Sequence, residues 1–151
     1  MLISFNHYNI QYAENQFKQM KNVFVEIGKD HYQTKIKARQ HELIADEPAE
    51  ENGTDLGITP DELLAAALGS CTVITLRMYA DRKGYDLEKV AVHLEFERKK
   101  ESGKTTTFIS RKIELIGNLT PEVRERMLQI ANLCPVHQTL TSPIEIQTHF
   151  V

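Results

Sequence analysis

ITPDELLAAALGSCTVITLRMYADRKGYDL, residues 58–87, is the stretch around which the rest of the chain has to be arranged. Thr59, Pro60, Asp61 and Glu62 carry a helix start. They supply a capping hydroxyl, a proline at the first helical position and acidic side chains beside the positive end of the helix dipole. Gly84 supplies the stop, because glycine enters the left-handed region without the steric cost of a Cβ. The spacing predicts a helix ending at Lys83, with apolar residues such as Leu64, Leu68, Val73, Ile74, Leu76 and Met78 most of the way round it. A helix of that kind is expected to be enclosed by protein. Its uncharged run, residues 63–76, is shorter than the roughly 20 apolar residues a bilayer span needs, so no membrane partner is expected.

Working outward, Val23, Val25 and Ile27 alternate with other residues, Gly28, Lys29 and Asp30 form a turn, and a second run passes through Tyr32, Thr34, Ile36 and Ala38. This predicts a hairpin. Residues 45–57, ADEPAEENGTDLG, are acidic and aperiodic, and a solvated loop is expected there. Beyond the helix, Val90, Val92, Leu94 and Phe96 predict an inward strand face, with His93, Glu95 and Glu97 outward. A charged turn follows over residues 97–104, and Ile109, Ile113 and Leu115 continue the sheet. Thr120, Pro121 and Glu122 open a second helix expected to run through Val123, Met127, Ile130, Ala131 and Cys134. Pro135 interrupts it and starts a short helical turn to Leu140; Ile144, Ile146 and Thr148 predict a last strand. The order of elements is that of an α+β fold, two central helices laid against antiparallel-rich sheet. Residues 1–19 read as a poorly organised extension, with Met20 an alternative start, and residues 20–151 as one domain, since 151 residues can enclose a single core.

Composition narrows the function classes. Lys plus Arg number 18 against 21 Asp plus Glu, a net charge of −3, so no cationic excess is available to release counterions from a nucleic-acid backbone. Two cysteines are too few for a secreted disulfide scaffold and fit the thiols of an intracellular protein. The first 18 residues lack a basic start followed by an apolar run and a small-residue cleavage site, so a cytoplasmic location is expected.

The cysteines are the chemically pointed residues. Cys71 shares a helix face with Leu64, Ala67, Leu68, Ile74, Thr75 and Met78, a setting that equally suits an inert core thiol whose pKa burial would raise. Gly69 precedes it inside the helix, where glycine costs about 1 kcal/mol relative to alanine, so something is expected to approach the backbone closely there. Cys134, immediately before Pro135, is placed to cap the short helix, whose free N–H groups favour a thiolate. Cys134 and His137 have metal-ligand spacing, but no matching second pair accompanies them, and no metal is expected. A Gly-x-Ser-x-Gly elbow and a glycine-rich phosphate loop are both missing from the sequence.

Residues 58–87, joined with ANLCPVHQTL at residues 131–140, resemble the OsmC/Ohr family of thiol-dependent peroxidases, and a looser likeness extends from about Val23 to the C-terminus. The carrying motifs are a Pro-acidic-x-Leu-Leu helix start, Gly-Ser-Cys-Thr within the same helix, and Cys-Pro-Val-His after a second capped helix. The resemblance implies an OsmC-like α+β fold in an intertwined homodimer, with Cys71 the peroxidatic thiol and Cys134 the resolving one. Cys71 would reduce an organic hydroperoxide, and hydrogen peroxide less efficiently, becoming a sulfenic acid that condenses with Cys134 into a disulfide. An external dithiol such as a dihydrolipoyl group would reduce that disulfide, with no metal, haem or flavin cofactor. Leu64, Leu68 and Met78 would receive the alkyl chain of the substrate, at about 0.8 kcal/mol per buried CH₂. In the organic-peroxide branch a glutamate at the first helical turn holds an arginine from the N-terminal strands against the thiolate. Here Asp61 stands in the glutamate's place with Glu62 beside it, and Arg39 is the only arginine before the helix, while Arg77 points away from Cys71. The competing readings are a non-catalytic dimeric module that binds a small hydrophobic ligand or partner, and a redox sensor.

Overall fold

A computed structural model of the chain describes residues 22–150, which form two compact units, one through Thr59 and one from Pro60. The extension expected over residues 1–19 lies outside the described residues.

The first unit is a three-stranded antiparallel meander of β1 (Phe24–Ile27), β2 (Thr34–Ala38) and β3 (His41–Ala45). Val25 lies opposite Ile36, and Ile36 opposite Leu43, so the branched residues form a cross-strand row. β1 and β2 are the expected hairpin. β3 is an addition, hidden in the sequence because Leu43 and Ile44 are adjacent and break alternation, and because its turn is made by Arg39 with a φ of 56° instead of by glycine. The loop after β3 is less solvated than its composition predicts. Asp46 is buried there, and its carboxylate accepts from the backbone N–H groups of Glu47 at 2.8 Å, Thr54 at 3.2 Å and Leu56 at 3.2 Å, and from the Thr54 hydroxyl.

The second unit contains α1 (Pro60–Lys83), the long hairpin β4 (Leu87–Glu101) and β5 (Lys104–Gly117), α2 (Pro121–Ala131) and α3 (Pro135–Leu140). Helix α1 ends as predicted, with Gly84 at a φ of 67°. The hairpin tip, Ser102-Gly103, takes positive φ at both residues, a twist that matches paired strands. The core joins Leu76, Tyr79 and Ala80 of α1 to Leu87 of β4 and to Met127, Ile130 and Ala131 of α2.

Three expectations are corrected here. Helix α1 is not enclosed all round within the chain: Leu68, Thr72, Leu76, Tyr79 and Ala80 are buried, whereas Ile74 and Met78 stand 57% and 67% exposed. By length and composition alone α1 is apolar enough to cross a bilayer, a test that the core helix of a soluble protein also passes. Helix α2 does not run through Cys134 but stops at Ala131, because Pro135 drives the preceding residue into extended conformation, with Cys134 at φ −65° and ψ 140°. The last strand does not form: Ile144, Ile146 and Phe150 are exposed and outside any strand, since alternation without a partner edge leaves backbone groups unpaired.

Candidate active site

Consecutive positions on α1 point about 100° apart. Cys71 is therefore half-buried, while Thr72 next to it turns fully into the unit. Thr72 Oγ1 donates to the Leu68 carbonyl one turn earlier at 2.7 Å and lies 3.7 Å from Cys134 Sγ. Cys134 is 0% exposed and caps α3, its sulfur accepting from the His137 backbone N–H at 3.4 Å. The Cys71 side chain is close enough to the same sulfur to favour its ionised form. Two cysteines 63 positions apart in sequence are thus brought near one another, Cys71 half-buried and Cys134 fully buried.

β5 completes the arrangement. Arg111 lies opposite Leu94 of β4, on the same side of the strand as Ile109 and Ile113, and is half-buried. Its guanidinium donates to Thr72 Oγ1 at 2.7 Å, to the Ala131 carbonyl at 3.2 Å and to Asn132 Oδ1 at 2.7 Å. It thereby ties β5 to α1 and to the turn that delivers Cys134. Burial is the largest single influence on the Cys134 thiol and opposes ionisation; the His137 N–H, the Thr72 hydroxyl, Cys71 and the Arg111 charge together outweigh it and hold the thiol below its ordinary pKa.

The other expected site residues are distributed as follows. Asp61 forms a bidentate pair with Arg98 of β4, one contact at 2.6 Å, so its carboxylate is held by an arginine from beyond the helix. Glu62 is exposed. Arg39 sits in the exposed β2–β3 turn of the first unit. Leu64 and Met78 are exposed, whereas Leu68 is 5% exposed and packed inside. Arg77 donates to the carbonyls of Leu87 and Glu88, fastening the end of α1 to the start of β4. The close approach expected at Gly69 is made by a β4 side chain: a Cβ there would come 2.8 Å from Leu94 Cδ1.

Sequence reasoning passed over Arg111, Thr72 and Arg98. Arg111 carried a signal, because it occupies an inward position of an alternating strand, where a charge has to find acceptors. Thr72 stood beside Cys71 without a role, and its contacts depend on which way the helix faces.

Comparison with known proteins places this geometry in context. A family model described as OsmC-like protein matches residues 53–149. Among solved structures, the chain is similar to an OsmC-like protein from Mycoplasma pneumoniae at 20% identity, covering 82% of this chain and 88% of that one, with a TM-score of 0.70. It is similar to an organic hydroperoxide resistance protein, OsmC, from Legionella pneumophila at 17% identity, covering 82% and 90%, with a TM-score of 0.65. It is also similar to the organic hydroperoxide resistance protein OhrB of Bacillus subtilis at 15% identity, covering 82% and 91%, with a TM-score of 0.60. At these identities the likeness concerns the fold. No curated protein sequence matches the chain.

Proposed function

The chain belongs to the OsmC-like protein family, and from that premise we propose that it is a cytoplasmic thiol peroxidase that reduces organic hydroperoxides through Cys71 and Cys134. The observation that supports this reading is the proximity of a half-buried Cys71 to a fully buried Cys134. Cys71 is the more accessible of the two, so in this reading it is the peroxidatic residue and Cys134 the resolving one. Cys71 attacks the terminal peroxide oxygen and expels an alcohol; the resulting sulfenic acid condenses with Cys134 and releases water. An external dithiol, of the dihydrolipoyl type, then reduces the disulfide. The reaction calls on no metal or organic cofactor.

Leu64 and Met78 offer the exposed apolar surface on the Cys71 face of α1 that would receive an alkyl chain, with Leu68 as packing behind them. Asp61 and Glu62 at the head of α1 remain the residues proposed to orient charge toward the thiol. The protein acts as a homodimer in this reading.

Mixing the reduced protein with cumene hydroperoxide tests the proposal. Both thiols are expected to disappear as peroxide is consumed, leaving an intramolecular disulfide visible by non-reducing peptide mapping. Cys71→Ser should abolish consumption, and Cys134→Ser should stop after one oxidation, as a trapped or overoxidised Cys71. Thiols that survive the peroxide unchanged would refute the enzyme.

A further inference from the structure

Arg111 is a half-buried cation without a carboxylate: among the described residues none of the ion pairs includes it. Its hydrogen-bond partners are a hydroxyl, a carbonyl and an amide oxygen, all neutral. A charge removed from water and given only neutral acceptors is incompletely compensated. The group nearby that can become its anion is Cys134, reached through Thr72.

Thr72 has one hydroxyl proton and two lone pairs. One lone pair accepts from Arg111 at 2.7 Å, while the proton points to the Leu68 carbonyl at 2.7 Å or to the Cys134 sulfur at 3.7 Å. The Leu68 carbonyl lies within α1, where a helical N–H is its ordinary partner, so the hydroxyl can turn to the sulfur without stranding a buried acceptor. A neutral Cys134 does not need that proton; a thiolate does. Because Arg111 pins the Thr72 oxygen, only the proton has to move.

We propose that Arg111, acting through the Thr72 hydroxyl, is the positioning residue that keeps Cys134 ready to accept the proton of Cys71 while Cys71 attacks the peroxide. The inference rests on the peroxidase reading for its chemistry and on the Arg111–Thr72–Cys134 contacts for the positioning of Cys134. In the step, the S–H bond of Cys71 breaks and its proton passes to Cys134 Sγ. A bond forms between Cys71 Sγ and the terminal peroxide oxygen, and the O–O bond breaks with its electron pair leaving on the alkoxide. The alkoxide takes up the proton released from Cys71, which returns Cys134 to thiolate. Cys134 then attacks the Cys71 sulfenic sulfur and displaces hydroxide. The two sulfurs lose two electrons and the peroxide gains two. The groups facing Cys134 that bear on its ionisation, among the described residues, are Cys71 and Thr72 from α1, Arg111 from β5 and the His137 N–H of α3.

The test follows the Cys134 thiolate against pH by ultraviolet absorbance and alkylation rate, in a Cys71→Ser background that leaves Cys134 as the only cysteine. Thr72→Val is expected to move the titration up by about one pH unit, the effect of losing a hydrogen bond to a charged group, and Thr72→Ser to restore it. Arg111→Gln also releases Ala131 and Asn132, so Thr72→Val, which leaves those bonds in place, separates ionisation from positioning of the turn. In the protein with both cysteines, Thr72→Val should carry the pH profile of peroxide consumption upward with the titration. A titration that does not respond to either Thr72→Val or Arg111→Gln in folded protein overturns the inference, as does a Thr72→Ser variant that fails to restore it. If the titration shifts but no peroxide is consumed, the hold of Arg111 and Thr72 on Cys134 stands, while the proton transfer and the peroxidase reading fall together.

Discussion

Asp46 carries a carboxylate into the first unit, where its surroundings favour the ionised form. The Thr54 hydroxyl does most, burial works against it, and the N–H groups of Leu56, Glu47 and Thr54 restore the balance, so the carboxyl sits below its ordinary pKa. A group whose folded pKa lies below its unfolded one adds stability that is complete above the unfolded value and is lost as pH falls through the folded value. The loop after β3 is therefore expected to loosen in acid. Asp46→Asn should lower the thermal midpoint by several degrees at neutral pH, and the difference from wild type should close as pH drops below about 4. Circular dichroism melts across pH measure both effects.

At the scale of elements, the devices that hold α1 include its apolar stripe on the hairpin and α2, the Arg77 bonds to Leu87 and Glu88, and the Gly69 notch that receives Leu94. The stripe dominates. Leu76 is 0% exposed, and Leu76→Ala should cost roughly 2–5 kcal/mol in chemical denaturation, combining lost burial with a residual cavity. The notch sets two smaller effects against each other. Gly69→Ala gains about 1 kcal/mol of helix propensity, while its Cβ displaces only the tip of a flexible leucine. A net change within about 1 kcal/mol is expected, whereas Gly69→Leu should lose about 1–3 kcal/mol by overpacking. The Arg98–Asp61 pair is exposed, and its removal should hardly change stability, because screened surface pairs contribute about 0–1 kcal/mol.

For the molecule as a whole, the apolar surface left open by the single chain is what remains to be explained. Leu64, Ile74 and Met78 of α1 stand exposed in the second unit, and Phe24, Val25 and Ile27 in the first. Large apolar side chains gathered on exposed elements mark association surfaces, and the proposed homodimer would cover such residues. Sedimentation should give the mass of a dimer. Ile74→Glu should weaken the association by at least about tenfold, because an isoleucine loses about 1.5–3 kcal/mol of burial in each protomer. A monomeric wild-type protein would contradict the dimer and leave these side chains without an occupant.

Local patterns alone placed the start and stop of α1, the strand parities of β4 and β5, the threonine cap of α2 and the short helix after Cys134, because caps and periodicities are written within a few residues of where they act. They also singled out both thiols. What they did not contain was the company those thiols keep. Cys71, Thr72, Arg111 and Cys134 meet only once the β4–β5 register sets Arg111 opposite Leu94 and α1 turns Thr72 inward. The same dependence on distant partners accounts for β3, which exists by pairing with β2, and for residues 144–148, which alternate as a strand should and find no edge to join. A period can be read along the chain; a contact between residues tens of positions apart is decided by packing.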